Sequence, residues 1–308
     1  MWEEALEEAP GCDDEALERA LAEFRERYLL PRTKQLLPTM ETLGLREVFD
    51  HIVSGGKSLR GFTAIVVAEA LEGDADYAVD AAIATEIVQA ASLTLDDIVD
   101  MDVERRGKPA TWILYGVGKS ALTSILLVPI ALKMVEKYGP LALSYSIRAW
   151  EAMVEGEILD AYQSLKLKSN DYITLISLKT APLFSLAAAL GALAARREDK
   201  AEPAWSFGAA LGEAYQVADD IVDYLSYVKG AKEKLDPSEE LFAKWVTSKL
   251  GASTSDQVVS EALKYVEGRV ASAEALASEL TEGRGCCTLR LLPRFAVNSM
   301  LRLADLRV

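Results

Sequence analysis

Residues 76–100 read DYAVDAAIATEIVQAASLTLDDIVD, an apolar run that ends in three aspartates. Up to residue 95 it holds neither Pro nor Gly and is apolar on most faces. A helix of that kind is surrounded by other helices rather than laid on a surface. Segments 120–133 and 181–195 share this texture. Working outward, helical segments are expected at 14–30, 39–53, 58–72, 76–103, 109–136, 139–166, 170–195, 203–228, 238–249, 255–279 and 288–304. Ala, Leu, Glu, Arg and Lys dominate them, all good helix formers. Strand signals are nearly absent, and no Asn-Gly or Asp-Gly dipeptide separates alternating runs. The stretches 229–238 and Thr281–Cys287 read as surface loops. The expected fold is all-α, a single-domain layered helical bundle over 1–308 with an inner and an outer ring.

The pentapeptide DDIVD at Asp96–Asp100 returns at Asp219–Asp223. Asp96 and Asp100 are four apart and share a helix face, as do Asp219 and Asp223. Like charges at that spacing repel, and a helix C-terminus is itself negative. A stable fold gains nothing from this unless a cation sits there. All-oxygen carboxylate ligands suit Mg²⁺ or Mn²⁺. An acidic solvated face is the alternative for either copy alone, and the repetition argues against it.

Basic residues answer the acidic ones. Ser54–Gly61 reads SGGKSLRG, with two glycines ahead of Lys57 and Arg60. Glycines allow close backbone approach, Arg binds phosphate as a planar fork and Lys as a point charge. Arg105 and Arg106 follow the first acidic cluster, where pairing with Asp102 or Glu104 is the plain alternative. The Walker spacing is missing, so a P-loop is not supported.

Composition narrows the function classes. Lys+Arg number 33 and Asp+Glu 48, a formal charge of 33 − 48 = −15. That argues against nucleic acid or an anionic membrane as the main partner. One His, His51, argues against a Ser/His/Asp triad and a multi-His zinc site. Cys12, Cys286 and Cys287 read as reduced thiols in a cytoplasmic protein. The start, MWEEALEEAPGCDDE, is the reverse of a signal peptide. The longest uncharged stretch, Thr180–Ala195, falls short of the ~20 residues of a spanning helix. No transmembrane segment is expected.

The series GGKSLRG, Gln89, DDIVDMDVERRGKP, Lys179-Thr180, Tyr215-Gln216 and the second DDIVD resembles the trans-isoprenyl diphosphate synthase (polyprenyl synthetase) family. The match in order and spacing covers roughly residues 50–225. The resemblance implies an isoprenoid-synthase-type bundle around a deep central cavity, usually a homodimer, with about three Mg²⁺ ions at its mouth. It implies a prenyltransferase condensing isopentenyl diphosphate with an allylic diphosphate, head to tail. Asp96 and Asp100 would hold two Mg²⁺, supported by Asp97, and Asp219 a third, with Asp220 and Asp223 nearby. Arg105 and Lys179 would contact the allylic diphosphate. Lys57, Arg60, Gln89 and Arg106 would hold isopentenyl diphosphate. Thr180 and Gln216 would line the place where the allylic cation forms. Gln89 and Leu95 stand where many members have His, and the segment after the second cluster is short. That leaves open which of Lys229, Lys232 and Lys234 meets phosphate.

Helical geometry places Ala91 and Ser92 about one turn before Asp96, with Val88 and Thr85 a further turn away. In the family, bulky aromatics near the cluster stop elongation early. Here both residues are small, so a product of geranylgeranyl length (C20) or longer is expected. The alternative is that they are ordinary packing positions. Competing functions are a class I terpene cyclase or head-to-head synthase, and a non-catalytic subunit of a heteromeric synthase.

Overall fold

The computed structural model describes residues 13–163, 166–232, 234–281 and 287–308. Fifteen α-helices account for most of them: α1 Asp14–Glu23, α2 Leu30–Lys34, α3 Leu37–Thr42, α4 Arg46–Ile52, α5 Leu59–Ala70, α6 Ala75–Val99, α7 Thr111–Tyr115, α8 Val117–Val135, α9 Pro140–Gln163, α10 Tyr172–Lys179, α11 Ala181–Ala194, α12 Ala201–Val228, α13 Pro237–Lys249, α14 Ser255–Leu280 and α15 Cys287–Leu301. A π-helical turn, Phe24–Leu29, joins α1 to α2. β1 (Glu104–Arg105) and β2 (Lys108–Pro109) form a two-residue antiparallel ladder, the only sheet among the described residues.

The described residues divide into two compact units, one of Glu15–Ser146 with Ala189–Ala201, the other of Ile147–Ala188 with Glu202–Val308. In the first unit, α6 is buried along most of its length, with Ala81, Ala82 and Ile83 fully inaccessible. Its one deeply buried charge in that stretch, Asp80, pairs with Arg32 Nη2 at 2.8 Å and Lys137 Nζ at 2.8 Å. That pairing lets a carboxylate sit in an apolar helix. In the second unit, α11 and α12 approach to backbone contact. A Cβ on Gly208 would lie 2.3 Å from the Phe184 carbonyl oxygen, and one on Gly212 2.6 Å from Ala181 Cα. Tyr172, Phe242 and Trp245 pack together beneath α13 with centroid separations of 4.8–6.3 Å.

Three expected helices are broken. The 39–53 segment turns at Gly44, whose φ is +66°. The 109–136 segment turns at Gly116, whose φ is +80°. The 170–195 segment parts at Thr180, two residues ahead of Pro182, which has no N–H to donate to the Leu178 carbonyl and sits instead in the first turn of the next helix. Apolar periodicity runs through all three points, which hides the breaks. The 76–103 segment stops at Val99, and Met101 takes a φ of +60°. The loop expected at Thr281–Cys287 lies mostly outside the described residues.

One expectation is corrected: Cys287 is disulfide-bonded, not a reduced thiol. Cys12 and Cys286 lie outside the described residues. By length and apolar composition, helical stretches Ala75–Val99, Val117–Tyr138 and Ser169–Ala194 could cross a bilayer. The most apolar windows of the first and third are 67% buried within the protein, and that of the second only 28%.

Candidate active site

The first acidic cluster sits where α6 ends. Asp74 caps the start of this helix, accepting from the Asp76 N–H at 2.9 Å. At the other end the Asp100 N–H still donates to the Asp96 carbonyl at 2.8 Å, and the chain then turns at Met101. The β1–β2 hairpin follows, with Arg105 opposite Lys108. Its two turn residues, Arg106 and Gly107, have φ of +56° and +73°, the double positive φ of a type I′ turn. The hairpin folds Arg105 back onto the helix end. Its Nε donates to Asp97 Oδ1 at 2.6 Å, and its Nη2 lies 3.8 Å from Asp96 and 3.6 Å from Asp102. Asp97 is 2% exposed; burial pushes its carboxyl up, and Arg105 works against that. Asp97 therefore anchors Arg105, while Asp96 is half-buried and Asp100 exposed at the helix end.

A basic group gathers around Glu86, one turn before Gln89 on α6. Gly55 and Gly56 take φ of +83° and +98°, and Ser58 (φ +56°) leads into α5. A Cβ on Gly56 would stand 3.2 Å from Arg106 Nη1, so the guanidinium lies against bare backbone. The Gly61 N–H donates to Glu86 Oε1 at 2.7 Å. Burial pushes the Glu86 carboxyl up; that N–H and the charges of Arg60, Arg25 and Arg106 pull it down. The structure thus brings Arg60 and Arg106 to one carboxylate, with Lys57 on the adjoining turn and Gln89 half-buried on the same helix. Sequence reasoning missed Glu86, although an acid three residues before Gln89 on an apolar helix was a visible signal.

In the second unit, α9 and α10 pack through Gly156, where a Cβ would be 2.7 Å from the Lys179 backbone nitrogen. That closeness lets Lys179 Nζ reach Asp160 Oδ2 at 2.5 Å and Glu157 Oε2 at 3.3 Å. Beside it, Thr180 Oγ1 donates to Gln216 Oε1, and Gln216 Nε2 donates to Asp220 Oδ1 at 3.0 Å. The Tyr172 hydroxyl donates to the other oxygen of Asp220. Thr180, Gln216, Asp220 and Tyr172 form one buried polar chain. Both oxygens of Asp220 are engaged within it, and burial holds its carboxyl well above the ordinary range.

Asp219 and Asp223 lie on the half-buried side of α12. Asp223 is pushed up to about 7, first by burial and then by the charges of Asp219 and Glu239. Of the three lysines after this cluster, Lys232 is the one near it. Burial works to lower Lys232, but hydrogen bonds to Asp236 at 2.7 Å and Glu239 at 2.6 Å raise it to about 12. Lys229 and Lys234 are exposed.

The donor set fits a hard divalent cation: carboxylate oxygens only, held at fixed helical spacing. Asp223 is raised first by burial and then by crowding with Asp219 and Glu239, which Lys232 only partly offsets. A pH dependence follows. Between about pH 4 and about 7 the folded protein keeps a proton on Asp223 that the unfolded chain has lost, so this group's contribution to stability falls as pH rises through that window. A divalent cation held by this cluster would need the carboxylate deprotonated, so its affinity would rise over the same window. Melting in EDTA and in Mg²⁺ at about pH 5.5 and about pH 8.5 is expected to show a larger Mg²⁺ increment at the higher pH. Asp223→Asn is expected to flatten that difference; an increment independent of pH in the unaltered protein would refute it.

Residues 43–280 match the model of the polyprenyl synthetase family. The hexaprenyl pyrophosphate synthase of Saccharolobus solfataricus is 32% identical over 274 residues, 89% of this chain and 92% of that protein. The geranylfarnesyl diphosphate synthase of Methanosarcina mazei is 31% identical over 255 residues, 80% and 83% of the two chains. A crystal structure of geranylgeranyl pyrophosphate synthase shares the fold, with a TM-score of 0.73 at 23% identity over 91% of this chain and 98% of that one. A matched span of this length, together with a relative at that identity over nearly the whole chain, settles the family. The chain belongs to the polyprenyl synthetase family and is a trans-prenyltransferase with the all-helical isoprenoid synthase fold.

Proposed function

We propose that the protein condenses isopentenyl diphosphate with an allylic diphosphate, head to tail and Mg²⁺-dependently, to an all-trans prenyl diphosphate of C20 or longer. The observation that carries this reading is the basic group at Glu86, separate along α6 from the aspartates at its end. A cyclase ionises one diphosphate and needs no second site; a condensing enzyme needs two. The names of the relatives, hexaprenyl and geranylfarnesyl synthases, favour the longer products.

In this reading Asp96 and Asp100 would hold metal for the allylic diphosphate, and Asp219, with Asp220 and Asp223 nearby, would hold more. Divalent ions held there would supply positive charge to neutralise what grows on the departing diphosphate. Arg105 adds charge there while Asp97 fixes its fork. Lys179, oriented by Asp160, does the same from α10. Lys57, Arg60, Gln89 and Arg106 hold isopentenyl diphosphate so that its double bond meets the allylic carbon. Thr180 and Gln216, locked through Asp220 and Tyr172, present oxygen dipoles to the developing cation. The new C–C bond uses the alkene electron pair, and the proton then lost goes to the released diphosphate. One His in the whole chain is no obstacle to that route.

Chain length is expected to follow from the small residues before Asp96. Ala91 is fully buried against Met40, Phe49 and Leu127, so enlarging it would overpack the core. Ser92 is half-buried, and its hydroxyl donates to the Gln89 carbonyl of its own helix at 3.0 Å. Ser92→Phe is therefore the cleaner probe, with Val88, 8% exposed, as the next layer. A shorter main product on chromatography is expected; unchanged length would place the limit on another helix.

We also propose a cytoplasmic homodimer in which no helix spans a membrane. The support is the face of α8, where Val117, Leu122 and Ile125 are 49%, 67% and 57% exposed beside Ile113 and Leu114 of α7. A stripe of that size is unusual on a free monomer. Ultracentrifugation of the detergent-free protein is expected to show a dimer, and Leu122→Glu with Ile125→Glu a monomer.

The decisive assay is purified protein with isopentenyl diphosphate, an allylic starter and Mg²⁺. Condensed all-trans product supports the proposal. Cyclised hydrocarbon, or no turnover without a partner protein, overturns it.

A further inference from the structure

We infer that Arg25, on the π-helical turn between α1 and α2, is a positioning residue of the isopentenyl diphosphate pocket, fixing the Lys57 turn and sharing the Glu86 carboxylate with Arg60 and Arg106. The inference rests on the second-diphosphate reading above and extends it to a residue outside the family-matched span of 43–280. Four observations carry it.

First, the Arg25 Nη2 donates to the Lys57 carbonyl, 32 residues away. That bond holds the backbone of the very turn whose glycines present Lys57. Second, the charges of Arg25 and Glu86 act on one another, and Glu86 is the group that also feels Arg60 and Arg106. Four cations and one carboxylate leave a positive pocket in a chain of formal charge −15. A patch of that sign, built on backbone turns, attracts a polyanion.

Third, Arg25 is where it is because the helix is wound abnormally. Phe24–Leu29 is a π turn, a rare conformation that recurs at functional sites. Phe24 is fully buried, 6.1 Å from the Phe62 ring, and a Cβ on Gly61 would stand 3.0 Å from it. Docking Phe24 into the space that Gly61 leaves open delivers the next residue, Arg25, to the Lys57 turn. Fourth, the Arg25 Nε is buried without a hydrogen-bond partner among the described residues. An apolar residue would fill that place at lower cost, so its charge is what the site uses.

The test is calorimetric binding of isopentenyl diphosphate in EDTA, together with steady-state kinetics and melting, on Arg25→Met, Arg25→Lys and Arg106→Met. Binding in EDTA isolates this pocket, because its cations need no metal. Arg25→Met is expected to weaken isopentenyl diphosphate about tenfold, the loss of one charge-assisted hydrogen bond, with the allylic KM within about twofold. Arg25→Lys is expected to recover part of that, because it keeps the charge and loses the fork. If Arg25→Met fails to fold, Arg25→Lys carries the test, with a weakening of about threefold expected. Wild-type binding in either folded Arg25 variant, while Arg106→Met binds weakly, overturns the inference and leaves the pocket standing. A loss shared equally by both substrates assigns Arg25 to stability alone and also overturns it. If Arg106→Met binds as the unaltered protein does, the pocket itself is misplaced and the inference falls with it.

Discussion

Asp219→Asn is expected to lower kcat/KM roughly a thousandfold, the scale of removing one preorganised electrostatic group at a site of growing charge. The same substitution is expected to raise the melting temperature of the metal-free protein by about 2 °C. Both effects have one cause. Asp223 is held up at about 7 by burial and by its neighbour Asp219. Removing the Asp219 charge lets Asp223 ionise at lower cost, so the strained cluster relaxes. It also leaves a neutral amide where the proposed cation would take a charged carboxylate. Gain in stability with loss of activity is what a functional cluster shows, and a solvated acidic face would show neither. Asp96→Asn is expected to lose activity on the same scale. Turnover within about tenfold of the unaltered protein in both variants would sink the metal reading.

Much of the candidate site was legible because helices present chemistry at fixed spacing. DDIVD, four apart and repeated, needed no partner to be read. GGKSLRG announced a turn, and the structure places positive φ at Gly55 and Gly56. What stayed hidden were the residues that orient these groups from other helices. Tyr172 reaches Asp220 across 48 positions and Asp160 reaches Lys179 across 19. No local pattern marks such a pair, since each side chain is ordinary within its own helix. Arg25 was invisible for a further reason: only a π turn aims it, and its helix carries no sequence period that says so. The breaks at Gly44 and Gly116 were readable from glycine, but the apolar pattern continues past both and outvoted them. At Cys287 the odd count of cysteines suggested thiols, whereas a bond needs only two of the three.

Gly208→Ala is expected to destabilise the protein by about 3 kcal/mol or more, or to leave it unable to fold, because an added methyl overpacks a close helix contact. On α12 a Cβ at this position would stand 2.3 Å from the Phe184 carbonyl oxygen and 2.5 Å from Ser185 Cα. Both are backbone atoms of α11, so no side chain can swing away and α11 and α12 must part. The consequences run along α12, which carries Gln216 and Asp219 about two and three turns further on. A separated α12 would also loosen Gln216 from Thr180, so surviving protein should lose activity as well as stability. Gly268→Ala supplies the control. It lies in α14 with nothing within 4 Å of its added Cβ and no positive φ, so only helix propensity acts. That variant is expected to gain about 0.5–1 kcal/mol. Opposite signs at two helical glycines, read by thermal melting, would show that α11 and α12 meet backbone to backbone; a loss at Gly208 no larger than about 1 kcal/mol would refute that contact.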